Sequence, residues 1–75
     1  MKIIVTRQNS DGTFDECGMN NRALFSNYKT LKNALKFGVK GFANGKPCRV
    51  EVYPCGLYQT CNWVLFFDAN FNRIN

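Results

Sequence analysis

Residues 28–42 read Tyr-Lys-Thr-Leu-Lys-Asn-Ala-Leu-Lys-Phe-Gly-Val-Lys-Gly-Phe, and this stretch decides the fold class. Tyr28, Leu31, Leu35, Val39 and Phe42 recur at steps of three and four, which at helical pitch gathers them on one face. Lys29, Lys32, Lys36 and Lys40 fall on the opposite face. Ser26 or Asn27 is placed to accept a bond from a free amide of the first turn as N-cap. Gly38 and Gly41 each weaken a helix by about 1 kcal/mol relative to Ala, so the helix is expected to end between Phe37 and Phe42. The chain has room for one amphipathic helix, and the pattern on either side of it has period two.

On the N-terminal side, Lys2 to Gln8 reads as a strand, Asn9-Ser10-Asp11-Gly12 as a turn and Thr13 to about Cys17 as a second strand. Gly18-Met19-Asn20-Asn21 breaks the pattern, leaving Asn20 to Phe25 as a loop. On the C-terminal side, Cys48 to Tyr53 alternates after Pro47. Residues 54–59 then turn the chain into Asn62 to Phe67, a strand apolar on both faces and therefore central. Asp68-Ala69-Asn70 leads to a last strand, Phe71 to Ile74. The expectation is α+β: an antiparallel sheet of four to five strands, ordered β-β-α-β-β-β, with the helix on one face. If Tyr53 pairs with Trp63, Val50 and Val52 share a face with Val64 and Phe66, giving a core of Leu31, Leu35, Val50, Val52, Val64 and Phe66.

Seventy-five residues hold one core and one domain, 1–75, in a chain 45% apolar and 15% aromatic. The N-terminal apolar run stops after Ile3-Ile4-Val5, short of a signal-peptide core or a membrane span. A start at Met with four cysteines is read as a reduced, cytoplasmic protein.

The sequence contains no histidine, which removes the commonest general base and the Cys-His and Ser-His pairs. Asp15 and Glu16, adjacent on the expected strand, point to opposite faces. Cys17, Cys48, Cys55 and Cys61 include no C-x-x-C pair of the kind that binds zinc. Cys55 and Cys61 flank the expected turn and would form a disulfide in an oxidising environment. Cys48, beside Lys46 and Arg49, is the one local candidate for an activated thiolate. No cofactor or metal is implied, and the expectation is a binding protein rather than an enzyme.

Two features could carry binding. From Arg22 to Arg49 the chain has seven positive residues and no acidic one, within a net charge of +5. Lys32/Lys36 and Lys36/Lys40 are like-charged i, i+4 pairs that cost stability. Lys29, Lys32, Lys36 and Lys40, joined by Lys46 and Arg49, therefore read either as a surface aimed at an anion or as a solvated face. The second feature is the sheet face left without a helix. Either Tyr53, Trp63, Leu65 and Phe67 or the opposite set is left there, and the first set are candidates for a self-contact, as in a homodimer, or a partner contact, unless the loop Asn20 to Phe25 and the turn at Leu57 and Tyr58 fold over it. Lys40-Gly41-Phe42-Ala43 opens like the RNP1 motif of RNA-binding sheets, but Asn44-Gly45-Lys46 follows where that motif needs strand aromatics.

The order of a strand hairpin, a helix opening after Ser26 with Leu31 and Ala34-Leu35, a strand Arg49-Val50-Glu51-Val52, then Trp63 and a turn at Asp68-Ala69-Asn70 resembles small phage-encoded proteins. In outline it is similar to type I-F anti-CRISPR proteins, which pack one helix on an antiparallel sheet and block DNA access to an RNA-guided surveillance complex. The resemblance implies a phage or mobile-element inhibitor or accessory protein. It would bind a host protein or ribonucleoprotein complex in the bacterial cytoplasm and block its activity. The likeness is one of element order, and no residue role comes with it. The rival expectation is a direct nucleic-acid binder that sets the same lysines against phosphates.

Overall fold

A computed structural model describes residues 1–18, 20–55 and 62–75. Strands β1 (Lys2–Arg7), β2 (Arg22–Phe25), β3 (Cys48–Tyr53) and β4 (Trp63–Phe67) form one antiparallel sheet in the order β2-β1-β3-β4. Among the described residues one helical segment, between β2 and β3, packs on one face of the four strands, so the fold is α+β.

The helix comprises an α-turn, Leu31–Asn33, a π-helical stretch, Ala34–Val39, and a last α-turn, Lys40–Ala43. Thr30 is its N-cap, in place of Ser26 or Asn27: its Oγ1 accepts from the Asn33 amide at 3.2 Å. Ser26 and Asn27 belong instead to the exposed link from β2. The Lys40 amide donates to the Leu35 carbonyl five residues back, the signature of the widened helix. The end comes beyond Phe42, at Asn44, whose left-handed φ of 50° lets its amide close on the Lys40 carbonyl.

The buried residues of the helix are Ala34, Gly38, Val39 and Ala43, while Tyr28, Leu31, Leu35 and Phe42 are half-buried around them. Small residues thus occupy the line of closest approach. At Gly38 an added Cβ would stand 3.0 Å from Cε2 of Tyr28 and 3.1 Å from two ring carbons of Phe25, so only glycine lets the helix lie this close.

The strand expected at Thr13 to Cys17 does not form, and the segment expected as a loop, Arg22–Phe25, takes its place beside β1. Side-chain bonds explain the departure. Asp11 Oδ1 accepts from the Thr13 amide at 3.0 Å and the Thr13 hydroxyl at 2.6 Å, and Asn9 Nδ2 donates to Asp15 at 2.9 Å. These bonds satisfy the chain locally and lead it off the ladder. Ala23 and Phe25 then supply the helix-facing side chains beside Val5 and Ile3.

The pairing of β3 with β4 is one residue out from the expected register: Trp63 lies opposite Val52, and Leu65 opposite Val50. A one-residue slip exchanges the two faces of a strand. Leu65 and Phe67 therefore enter the core with Ile3, Val5, Cys48, Val50 and Val52, while Val64 and Phe66 face away from the helix. Leu31 and Leu35 remain packed against that core. The last strand shrinks to one bridge, Phe67 with Arg73. Beyond it, the Asn75 side chain takes the Phe66 amide at 2.8 Å and donates to the Val64 carbonyl at 3.1 Å, bonding to the outer edge of β4 much as a further strand would.

Candidate partner-binding surface

Lys29, Lys32, Lys36 and Lys40 are all exposed; Lys32, Lys36 and Lys40 lie on the helix, whereas Lys29, expected there too, precedes the Thr30 cap and belongs to the link from β2. Lys32 lies in the first α-turn, Lys36 in the π-helical stretch and Lys40 in the last α-turn, at four-residue steps along the exposed side. Among the described residues every ion pair is made by Arg22 or Arg49, and none by a lysine. The lysines therefore have no carboxylate paired with them among the described residues. Phe37 stands among them, 63% exposed, with Lys36 Nζ 5.2 Å from its ring centroid. The sequence signal for Phe37 is its position off the apolar face set by Leu31, Leu35 and Val39, a signal that periodicity offers but does not interpret. Lys46, also exposed, lies past the end of the helix near Lys40.

Arg49 leaves this group. It is on the opposite face of the sheet, where its guanidinium meets Glu16 Oε1 at 3.1 Å and Glu51 Oε1 at 3.5 Å, and lies 5.4 Å from the Phe14 ring centroid. Arg22 approaches Glu51 from the other side at 3.8 Å, and the Tyr53 hydroxyl donates to Glu51 Oε2 at 2.8 Å. That bond to a carboxylate holds the Tyr53 hydroxyl above its ordinary pKa, with smaller contributions from desolvation and the Glu51 charge. Glu16 and Glu51 both meet Arg49, in a neutralised cluster rather than an acid pair.

The four residues expected as a sheet-face interface are separated. Leu65 and Phe67 are core, 4% and 6% exposed; Tyr53 is half-buried in the ion cluster on the far face. Trp63, 44% exposed, sits at the rim of the helix-bearing face. The far face is covered in part by the segment around Phe14, whose ring packs edge-on to Phe66 at 5.9 Å. Leu57 and Tyr58, the alternative cover for that face, lie outside the described residues, as does Cys61, the residue set against Cys55 across the expected turn.

Cys48 is not an activated thiolate. It is fully buried in the core, and burial pushes its thiol up to about 11. The thiolate is the nucleophilic form, so this side chain packs rather than reacts.

Among the described residues no group of three His, Cys, Asp or Glu is placed to hold a metal ion, and no helix is long and apolar enough to cross a membrane. Comparison with protein-family models, with curated proteins and with solved structures finds no match.

Proposed function

We propose that the protein is a non-enzymatic binding module that docks its lysine-bearing helix on an anionic surface of a nucleic-acid-handling partner and blocks that partner's activity. The observation that carries the reading is the set Lys32, Lys36 and Lys40, exposed and outside every ion pair among the described residues, on a helix whose other side is held against the core, with exposed Lys29 just ahead of its first turn. The i, i+4 pairs Lys32/Lys36 and Lys36/Lys40 repel one another, a cost that an anionic partner would offset. The resemblance in element order to phage-encoded inhibitors supplies the further expectation of a bacterial host ribonucleoprotein complex as the target, in the cytoplasm.

A second reading, direct binding of single-stranded nucleic acid, is favoured by one feature: Phe37 exposed among the lysines, since exposed aromatics beside cations are how such strands are held. One experiment separates them. Tagged wild type and the Lys29/Lys32/Lys36/Lys40→Gln quadruple variant are used to capture complexes from bacterial lysate with and without nuclease, and both are titrated with single-stranded and duplex DNA at several salt concentrations. The docking reading expects nuclease-resistant capture that the quadruple variant loses, with weak DNA binding. The second expects tight DNA binding, weakening steeply with salt at a log–log slope of roughly −0.7 per phosphate contact on single strands. Equal capture by wild type and quadruple variant would remove the lysine row from the account.

A further inference from the structure

Where the helix ends, a cleft of about 280 Å³ opens between Lys40, Ala43, Asn44, Gly45 and Lys46 on one side and Ala69, Asn70 and Phe71 on the other. We infer that this cleft is a binding site for a nucleoside monophosphate, its phosphate between Lys40 and Lys46 and its nucleoside against Asn44, Asn70 and Phe71. The site goes beyond the docking surface, with which it shares Lys40 and Lys46.

The charge argues for phosphate. Two lysines line the cleft and no carboxylate does. A phosphate monoester carries close to two negative charges at neutral pH, matching two cations where a carboxylate would match one. Helix C-termini ordinarily repel anions through their free carbonyls. Here the Lys40 carbonyl is taken by the Asn44 amide at 3.2 Å and the Ala43 carbonyl by the Lys46 amide at 3.0 Å. The volume exceeds what a bare phosphate fills and approaches the lower end of small-molecule sites. Two side-chain amides offer paired donors and acceptors for a base or sugar.

The far wall adds an independent observation. Phe71 has φ of 61°, a left-handed conformation rare for a bulky side chain. It is imposed by its surroundings. Asp68 Oδ1 accepts from the Asn70 amide at 2.9 Å and the Asn72 amide at 2.8 Å, the Phe71 amide donates to the Asp68 carbonyl at 3.0 Å, and the ring stacks on core Phe67 at 4.4 Å. Such outliers persist where the surrounding structure over-determines them, and they cluster at ligand-binding sites.

The test is an amide-shift NMR titration at physiological salt with adenosine 5′-monophosphate, adenosine and inorganic phosphate. Wild type should give saturable shifts with the monophosphate, confined to Lys40, Asn44, Gly45, Lys46, Asn70 and Phe71; phosphate should be weaker and adenosine inert. Lys46→Gln should weaken the monophosphate about tenfold or more, the loss of one charge-assisted contact. A Lys29/Lys32/Lys36→Gln triple variant should bind it within about twofold of wild type, even if partner capture is lost, so failure of the docking reading leaves this inference standing. A 5′-phosphorylated tetranucleotide that shifts the same amides more tightly than the monophosphate identifies a strand end as the source; a weaker response identifies the free nucleotide. The inference is overturned if adenosine matches its monophosphate, if shifts spread over Lys29 to Lys36 without saturating, if Lys46→Gln changes nothing, or if no shifts occur at millimolar ligand.

Discussion

Replacing each of the two helical glycines by alanine should shift stability in opposite directions. At Gly41 an added Cβ meets nothing within 4 Å. Gly41→Ala should therefore collect most of the alanine advantage in a helix, a gain of about 0.5–1 kcal/mol. At Gly38 the same methyl is 3.0 Å from Tyr28 and 3.1 Å from Phe25, inside ordinary contact distance. Those rings contact each other, centroids 6.1 Å apart, so neither yields without displacing the other or lifting the helix. Overpacking of this kind costs about 1–3 kcal/mol, which exceeds the propensity gain and leaves Gly38→Ala about 1 kcal/mol less stable than wild type. In a domain this size, 1 kcal/mol moves Tm by roughly 4–8 °C. Paired urea and thermal melts of the two variants read the difference directly. If Gly38→Ala is stabilised as much as Gly41→Ala, the helix does not lie against Phe25 and Tyr28 at the distance described, and the account of its close approach is wrong.

The β3/β4 register is tested by Leu65→Ala, expected to cost about 2–5 kcal/mol as a buried truncation, beside Val64→Ala, expected to cost under about 1 kcal/mol; reversed magnitudes in denaturant melts would restore the register expected from sequence. Cys48 should resist thiol reagents at pH 8 in native protein and react once it is unfolded, and native reactivity like that of exposed Cys17 would contradict its burial. The Cys48 thiol is raised from 9.0 to about 11 in the fold. Its unfolded form therefore loses its proton first, and a stabilising contribution of roughly 2–3 kcal/mol should be complete below pH 9 and lost on rising through pH 11. Cys48→Ala should abolish that part of the alkaline dependence in melts across this range. The Lys→Gln quadruple variant, freed of like-charge pairs, should melt at or slightly above the wild-type temperature, a gain of about 0.5 kcal/mol at most; a large loss would mean that the lysines hold the fold.

The sequence by itself determined what depends on local chemistry. Alternation marked β3, apolar runs bounded by turn residues marked β1 and β4, the three- and four-residue spacing marked the helix and set Lys32, Lys36 and Lys40 on its exposed side, and Asn9 to Gly12 marked a turn. One buried side per element is a property of the strand or helix alone. Only the tertiary structure decided which residues meet. Whether Trp63 faces Tyr53 or Val52 is a one-residue choice that reverses both faces of β4, and in a strand apolar on both faces local pattern carries no preference. It is settled by Leu65 and Phe67 fitting the helix side and by Phe71 stacking on Phe67. The choice of Arg22–Phe25 over Thr13 to Cys17 as partner for β1 likewise turned on the side-chain bonds of Asn9 and Asp11 and on Phe25 meeting Gly38. The cleft between Lys40, Lys46 and Phe71 joins residues up to 31 positions apart, and only the folding of the C-terminal turn onto the end of the helix creates it.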